Sequence, residues 1–220
     1  MNALRSFIPA VVVFALVGCT TTAINPAATA ALGVLNSEAG VQEKARACQE
    51  LGVYGGPEAV PALAALLNHE PLADYARSGL EAIKDPSAGQ ALRQALRTAS
   101  GRPLSGIVNS LGVRRESAAV SELQALALDA KRGVAAEAVA SLGMIGTTEA
   151  AKALQTILAA GPADLRVPAA HAAFTAASQL ARDGHAAAAR DLLQAVTRSL
   201  PSGHLAMVAQ SQMAALTPGR

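Results

Sequence analysis

A seventeen-residue phrase occurs three times in the chain and constrains its fold more than any other feature. It reads ELGVYGGPEAVPALAAL from Glu50, SLGVRRESAAVSELQAL from Ser110 and SLGMIGTTEAAKALQTI from Ser141. A degenerate copy over residues 75–96 places Leu80 between the first two Leu-Gly pairs, so the Leu positions 51, 80, 111 and 142 lie 29, 31 and 31 residues apart. A period near 30 residues in a helical pattern predicts stacked helical hairpins.

Each copy of the phrase predicts two helices joined by a turn. We expect the first helix to end at the Gly of the Leu-Gly pair, as at Gly52 and Gly143, or at the turn that follows it, because Gly commonly terminates helices. Apolar residues at helical spacing predict the core face of the second helix, with Leu63, Leu123 and Leu154 at one equivalent position. Proline or hydroxyl residues mark the starts of the second helices: Pro57, Pro86, Ser117 and Thr147.

The same register predicts which second-helix residues point away from the core. If these helices line the inner face of the array, two rows of small or weakly polar residues face a partner. The first row is Pro61, Gln90, Ser121 and Lys152, and the second is Ala65, Gln94, Ala125 and Thr156. Side chains of this size admit close approach of a helix or an extended peptide.

Composition excludes several classes of function. Apolar residues make up 51% of the chain and aromatic residues 2%, with no Trp, so Ala, Leu and Val supply a core that suits close-packed helices. The 18 basic and 16 acidic residues nearly balance, so no strong field attracts nucleic acid. Too few aromatic faces are present for stacking on bases or sugars. Two cysteines provide no disulfide framework.

The first 18 residues have the pattern of a secretory signal peptide. A basic start through Arg5 precedes the 12-residue apolar stretch FIPAVVVFALVG, which is too short to span a bilayer as a helix. The stretch leads into LVGC, which looks like a bacterial lipobox. That resemblance implies cleavage before Cys19 and attachment of lipid to its thiol, whereas the alternative is an ordinary signal peptide with an incidental Cys. We predict a lipid anchor and flexible tether over residues 19–40.

Residues 41–216 resemble HEAT-type repeats, including the PBS-lyase-like variety found in bacteria. The pairs Leu51-Gly52, Leu111-Gly112 and Leu142-Gly143 carry this resemblance. It implies an all-α fold, an α-α superhelix of about five helical hairpins, which serves many different partners. Residues 75–126 also resemble HEAT segments of exported bacterial proteins that stand beside carbohydrate-processing domains.

No pattern in the sequence indicates catalysis, a cofactor or a metal. The four His residues form no i, i+4 pair and no Cys lies at ligand spacing. The segment GRPLSG from Gly101 lacks the G-x-S-x-G and P-loop patterns. We therefore expect a protein that is not an enzyme and that binds neither metal nor nucleic acid.

Long polar side chains supply the predicted partner contacts. Arg114 and Arg115 fall in the turn inside the third hairpin, where they are either solvated or bind an acidic partner or anionic glycan through bidentate hydrogen bonds. The predicted partner-binding residues are Gln90, Gln94, Arg97, Arg114, Arg115 and Lys152.

These observations together predict a membrane-anchored envelope lipoprotein that acts as an interaction scaffold for an envelope protein. Thr20 in place of Asp resembles the pattern of sorting to the outer membrane, so we expect the domain to face the periplasm. Two alternatives remain open: an accessory subunit or enzyme acting on envelope or extracellular polysaccharide, and a binder of small ligands in the solenoid groove.

Overall fold

A computed structural model describes residues 24–216 of the chain. The predicted signal peptide and Cys19 lie outside the described residues. Within them, the regular elements are α-helices and short 3₁₀ turns. The helices are α1 (Pro26–Leu35), α2 (Val41–Tyr54), α3 (Val60–Ala65), α4 (Ala73–Ala82), α5 (Pro86–Ala95), α6 (Gly101–Val113), α7 (Val120–Leu128), α8 (Ala135–Ile145), α9 (Thr148–Ala160), α10 (Arg166–Arg182), α11 (Ala186–Ser199) and α12 (His204–Ala215).

The helices α2 to α11 form the five predicted hairpins, stacked in two layers. The first-helix layer consists of α2, α4, α6, α8 and α10, and each helix packs on the next. The second-helix layer consists of α3, α5, α7, α9 and α11. Its neighbours also pack together, except that α5 and α7 barely approach each other. The fold is an all-α superhelix of HEAT-like hairpins, as the repeat period predicted.

Local signals place the starts of the second helices where the sequence predicted them. A 3₁₀ turn begins at Pro57 ahead of α3, and another begins at Ser117 ahead of α7. Helix α5 begins at Pro86. The Thr147 side chain caps α9 by accepting a hydrogen bond from the backbone N–H of Ala150 at 3.2 Å. Pro57 and Pro86 remove, and Thr147 satisfies, a donor that has no partner inside the helix.

The segment predicted to be a flexible tether contains a packed helix. Helix α1 begins at Pro26, after Asn25 caps it by accepting from the backbone N–H of Ala27 at 2.9 Å. It packs on α2 and buries Ala28, Ala31 and Leu35. The prediction of an unstructured segment is therefore wrong for residues 26–35, because three apolar side chains at helical spacing cover the open side of the first hairpin.

The core follows the predicted register. Leu63, Leu123 and Leu154 have no exposed side-chain area, and neither do Leu51, Leu111 and Leu142 of the Leu-Gly pairs. They belong to one continuous hydrophobic cluster that extends from α1 to α12. Fully burying a Leu side chain contributes roughly 1.5–3 kcal/mol, so these positions supply much of the stability of each hairpin.

The Gly of the repeated phrase does not end its helix. Gly143 lies inside α8, which continues to Ile145 and ends before Gly146 with φ 61°. A Cβ atom added to Gly143 would lie 2.8 Å from the Cα of Ala172 in α10, closer than two carbon atoms can pack. Gly52 likewise lies inside α2. Of the two predicted helix ends, the turn that follows the Leu-Gly pair is the one observed. The Gly itself lets neighbouring first helices approach backbone to backbone.

The Ser that begins the second and third copies of the phrase links its helix to the preceding first helix by hydrogen bonds. Ser141 is fully buried and donates to the carbonyl of Val108 at 2.9 Å, linking α8 to α6. Ser110 is also fully buried; it accepts from Arg77 Nη1 at 2.7 Å and donates to Glu81 Oε2 at 2.6 Å, linking α6 to α4. Ser, Leu and Gly thus supply an inter-helix hydrogen bond, a core side chain and a close approach in three successive positions.

Candidate binding surface

The second-helix layer exposes both rows of residues that the register predicted to face outward. All eight positions are exposed, and they are Pro61, Gln90, Ser121, Lys152, Ala65, Gln94, Ala125 and Thr156. Successive second helices are separated by grooves on this face. The layer therefore offers a long, ridged surface that the hydrophobic core does not use.

The groove between α5 and α7 has the largest volume of those on this layer, about 460 Å³. It is lined by three of the predicted partner-binding residues, Gln90, Gln94 and Arg97. Its floor includes the buried side chains of Leu96 and Leu126. The groove exists because α5 and α7 barely contact each other while α4 and α6 behind them remain packed.

An ion pair crosses this groove and joins its two walls. Arg93 on α5 donates to Glu122 Oε1 on α7 from Nη2 at 2.6 Å and from Nε at 3.1 Å. Burial on its own would raise the pKa of Glu122, but hydrogen bonds from Ser121 and Arg93 outweigh it and hold the pKa below its usual range. Glu122 therefore stays ionised at neutral pH and keeps Arg93 engaged.

Another arginine that lines the same groove binds backbone carbonyls. Arg132 Nη2 donates to the carbonyl of Leu96 at 2.8 Å and to the carbonyl of Ala99 at 3.0 Å. These carbonyls lie just beyond the end of α5, where the helix provides no donors for them. Arg132 thereby fixes the spacing of the second and third hairpins.

Two further grooves continue along the second-helix layer. The groove between α7 and α9 has a volume of about 390 Å³ and includes Lys152, the fourth predicted residue on this layer. The groove between α9 and α11 has a volume of about 370 Å³ and includes Arg166 and Arg198. Three successive gaps in the layer are thus open to a partner.

Arg114 lies outside this surface, although it was predicted to bind a partner. Its guanidinium reaches back to the end of α4, where Nη1 donates to the carbonyls of Leu80 at 2.8 Å and Glu81 at 3.0 Å, and also to that of Ile83. Nη2 donates to the carbonyl of Asp85 at 3.2 Å. Arg114 thus satisfies free carbonyls at the end of a neighbouring helix and is not a freely solvated turn residue.

Arg115 has a similar role in the opposite direction along the array. Its Nε donates to the carbonyl of Ile145 at the end of α8 at 3.1 Å, and its Nη2 lies 3.4 Å from Asp183 Oδ2 after α10. The residue holds a positive φ of 52°, which favours Gly over Arg. Both turn arginines therefore lie away from the grooves of the second-helix layer and link neighbouring hairpins, so we call them fasteners.

Sequence reasoning missed the arginines of the last groove. Arg166 and Arg198 flank the fifth hairpin, whose first helix, α10, is 17 residues long. The long helix shifts the repeat period, so the outward rows were not extended into α11. Aligning the buried Leu192 with Leu154 would have extended the second row to the exposed Gln194 and placed Arg198 one turn later.

The described residues hold no cluster with the composition of a metal site. In residues 24–216, no three His, Cys, Asp or Glu side chains come together in a way that could hold a metal ion. Cys48 is fully buried, as expected of a small apolar side chain, and this burial raises the pKa of its thiol to about 11. None of the helices in this part of the chain has the length and apolarity needed to cross a bilayer.

Comparison with known proteins supports a HEAT-like repeat protein. Residues 134–160, which comprise α8 and α9 of the fourth hairpin, match the family model of the PBS lyase HEAT-like repeat. The matched hairpin contains one of the three complete copies of the repeated phrase. No curated protein matches the chain at a significant level.

Proposed function

We propose that the protein is a lipid-anchored, non-catalytic interaction scaffold of the bacterial cell envelope. It binds a partner protein along the second-helix layer, with Gln90, Gln94, Arg97 and Lys152 among the contacts. The observation that carries this proposal is the run of three open grooves on one layer of a HEAT-like array. HEAT-like repeats suggest protein interaction because their stacked hairpins create extended surfaces.

The surface has the composition of a binding face that remains exposed until a partner covers it. Gln90, Gln94 and Arg97 make no hydrogen bond or ion pair among the described residues, and all three are exposed. Buried apolar side chains lie beneath them in the groove. A partner segment that enters the groove can therefore bury apolar surface and form new hydrogen bonds without breaking existing ones.

The proposed anchor at Cys19 places the array close to the membrane. Two or more acyl chains hold a protein stably on a bilayer, whereas one chain binds only weakly. Only residues 20–25 separate Cys19 from the start of α1, and six residues span at most about 20 Å. An array on so short a connection faces partners in or near the outer membrane.

Site-specific photo-crosslinking tests the binding surface. A photoreactive residue at Gln94, in the groove between α5 and α7, should form a discrete adduct with one envelope protein in living cells. The matched control is Asn109, an exposed amide side chain on α6 in the first-helix layer. Equal yields of adduct at both positions, or no adduct at either, would refute the second-helix layer as the binding surface.

Fractionation tests the anchor. Cys19→Ala should move the protein out of the membrane fraction, whereas Cys48→Ala should leave it there because Cys48 is a buried core residue. Retention of the Cys19→Ala protein in detergent-extractable membranes would refute lipid attachment at this position.

A small-ligand binder is the second candidate, and the volume of the groove between α5 and α7 favours it. Its 460 Å³ falls within the range of roughly 300–1,000 Å³ that is usual for ligand pockets. A metabolite that raises the melting temperature of the purified protein, and that no longer does so in a Gln94→Ala variant, would support this candidate over the scaffold.

A further inference from the structure

We propose that the partner segment bound by the second-helix layer is an acidic, extended polypeptide. It lies across the grooves from α5 to α11, with its carboxylates on Arg97, Arg166 and Arg198. This inference rests on the interaction-scaffold function proposed above, and it adds the charge and backbone form of the partner.

The first support is the charge of the grooves. Six basic and three acidic side chains line the three grooves together. The described chain as a whole is balanced, since 16 basic residues remain beside the 16 acidic ones once Arg5 and Arg220 are set aside. The excess of positive charge is therefore a property of this face, and it attracts a negatively charged partner.

The second support is that the arginines responsible for the excess positive charge are not already paired. Arg93 is engaged with Glu122, and Arg132 with backbone carbonyls. Arg97, Arg166 and Arg198 are exposed and form no hydrogen bond or ion pair among the residues that the structure describes. The α9/α11 groove holds two of them and no acidic residue. Arginine binds carboxylates through two parallel hydrogen bonds, which suits this task better than a point charge.

The third support concerns the form of the partner. Each groove is lined by at least one glutamine without a hydrogen-bond partner among the described residues: Gln90 and Gln94, Gln124, and Gln155. A side-chain amide both donates and accepts hydrogen bonds, so it complements a peptide backbone, which does the same at each residue. No aromatic side chain lines any of the three grooves, which disfavours a sugar polymer.

The spacing of the grooves sets the length of the segment. The first and third grooves lie two helix spacings apart, and packed helices stand about 8–10 Å apart. Carboxylates that reach both grooves must therefore be separated by about 16–20 Å. An extended chain rises about 3.3 Å per residue, so the separation is about five or six residues.

Fluorescent peptides test this inference on the purified protein. The long probe has two tetraglutamate blocks joined by six Gly and Ser residues, and the short probe has one block. Anisotropy should show that the long probe binds at least about tenfold more tightly, because the second block binds at a high effective concentration. Arg97→Glu and Arg198→Glu should each remove that advantage and leave the circular dichroism spectrum unchanged.

Controls separate a specific site from general attraction. Arg46→Glu makes the same change of charge on α2 in the first-helix layer, at an exposed arginine that forms no ion pair among the described residues. It should leave both affinities within about twofold. Equal affinities for the two probes, no binding, or an equal loss in Arg46→Glu would each overturn the inference. So would equally tight binding of an oligogalacturonate of the same charge, which would identify an anionic glycan instead.

The crosslinking experiment at Gln94 distinguishes failure of this inference from failure of the proposed function. A specific adduct at Gln94 together with no peptide binding supports the scaffold function and refutes the acidic partner. Specific peptide binding without any adduct at Gln94 in cells removes the proposed scaffold function.

Discussion

Replacing Gly143 by Ala should destabilise the protein, although the same change in an ordinary helix stabilises it. Ala is favoured over Gly inside a helix by about 1 kcal/mol. At Gly143, however, the new Cβ would lie 2.8 Å from both the Cα and the carbonyl oxygen of Ala172, and 2.9 Å from its Cβ. Carbon atoms pack at about 3.5–4.0 Å, so α8 and α10 must separate by roughly 0.7 Å or more.

The size of the effect follows from those two opposing terms. Overpacking a close contact costs typically about 1–3 kcal/mol, and the upper end applies here because the atoms in the way belong to the backbone of α10. Subtracting the helix-propensity gain of about 1 kcal/mol leaves a net loss of about 2 kcal/mol. Gly52→Ala should cost less, since the nearest atom there, the Cα of Gly79, would lie 3.2 Å away.

Gly33 provides the matched control. It lies inside α1, and a Cβ atom added there meets nothing within 4 Å. Gly33→Ala should therefore gain up to about 1 kcal/mol, which places the two variants about 3 kcal/mol apart. Urea denaturation of the purified protein, followed by circular dichroism, measures both free energies of unfolding. If Gly143→Ala stabilises the protein as much as Gly33→Ala does, the backbone contact between α8 and α10 is refuted.

Three further predictions test the core, a fastener and a buried thiol. Leu123→Ala should cost about 2–5 kcal/mol in urea denaturation and Gln94→Ala well under 1 kcal/mol; equal losses would contradict the register. Arg114→Met should cost about 1–3 kcal/mol because carbonyls at the end of α4 lose their donor, while Arg46→Met on the surface changes the melting temperature little. Because burial raises the pKa of Cys48 from 9.0 to about 11, the folded protein keeps a proton that the unfolded chain releases. The free energy of unfolding should therefore fall by up to about 1.4 kcal/mol per pH unit from pH 9 to 11. Cys48→Ala should remove that part of the slope, which a denaturation series across this pH range measures.

The features that could be predicted from the sequence are those that helical periodicity determines: the buried face, the exposed face and the positions of the hairpins. The register that buries Leu123 also exposes Gln94 and Lys152, because helical spacing alone separates the two faces. The positions of the hairpins followed from the period of the repeated phrase. Helix α1 was missed although Asn25 and Pro26 form a start signal, because its core face consists mainly of Ala.

The errors concern features that depend on a neighbouring hairpin. A Gly near the end of a helical pattern suits a helix end and a close contact equally well, and only the position of Ala172 distinguishes the two at Gly143. The destination of the Arg114 side chain lies some 30 residues earlier in the chain, at the end of α4. The local sequence pattern does not indicate which backbone carbonyl groups a turn arginine will bind.

The contrast between the two layers has a mechanical consequence. Where the Gly residues of the phrase bring first helices together backbone to backbone, that layer can neither shorten nor fold inward. Because this layer resists compression at these contacts, bending that would shorten it is taken up by the spaces between second helices. The gap between α5 and α7 deforms most easily, since little more than the Arg93–Glu122 pair and Arg132 spans it. A segment bound in that gap would therefore set the angle between the hairpins before it and the hairpins after it. Binding in one groove would in this way change the shape of the other grooves.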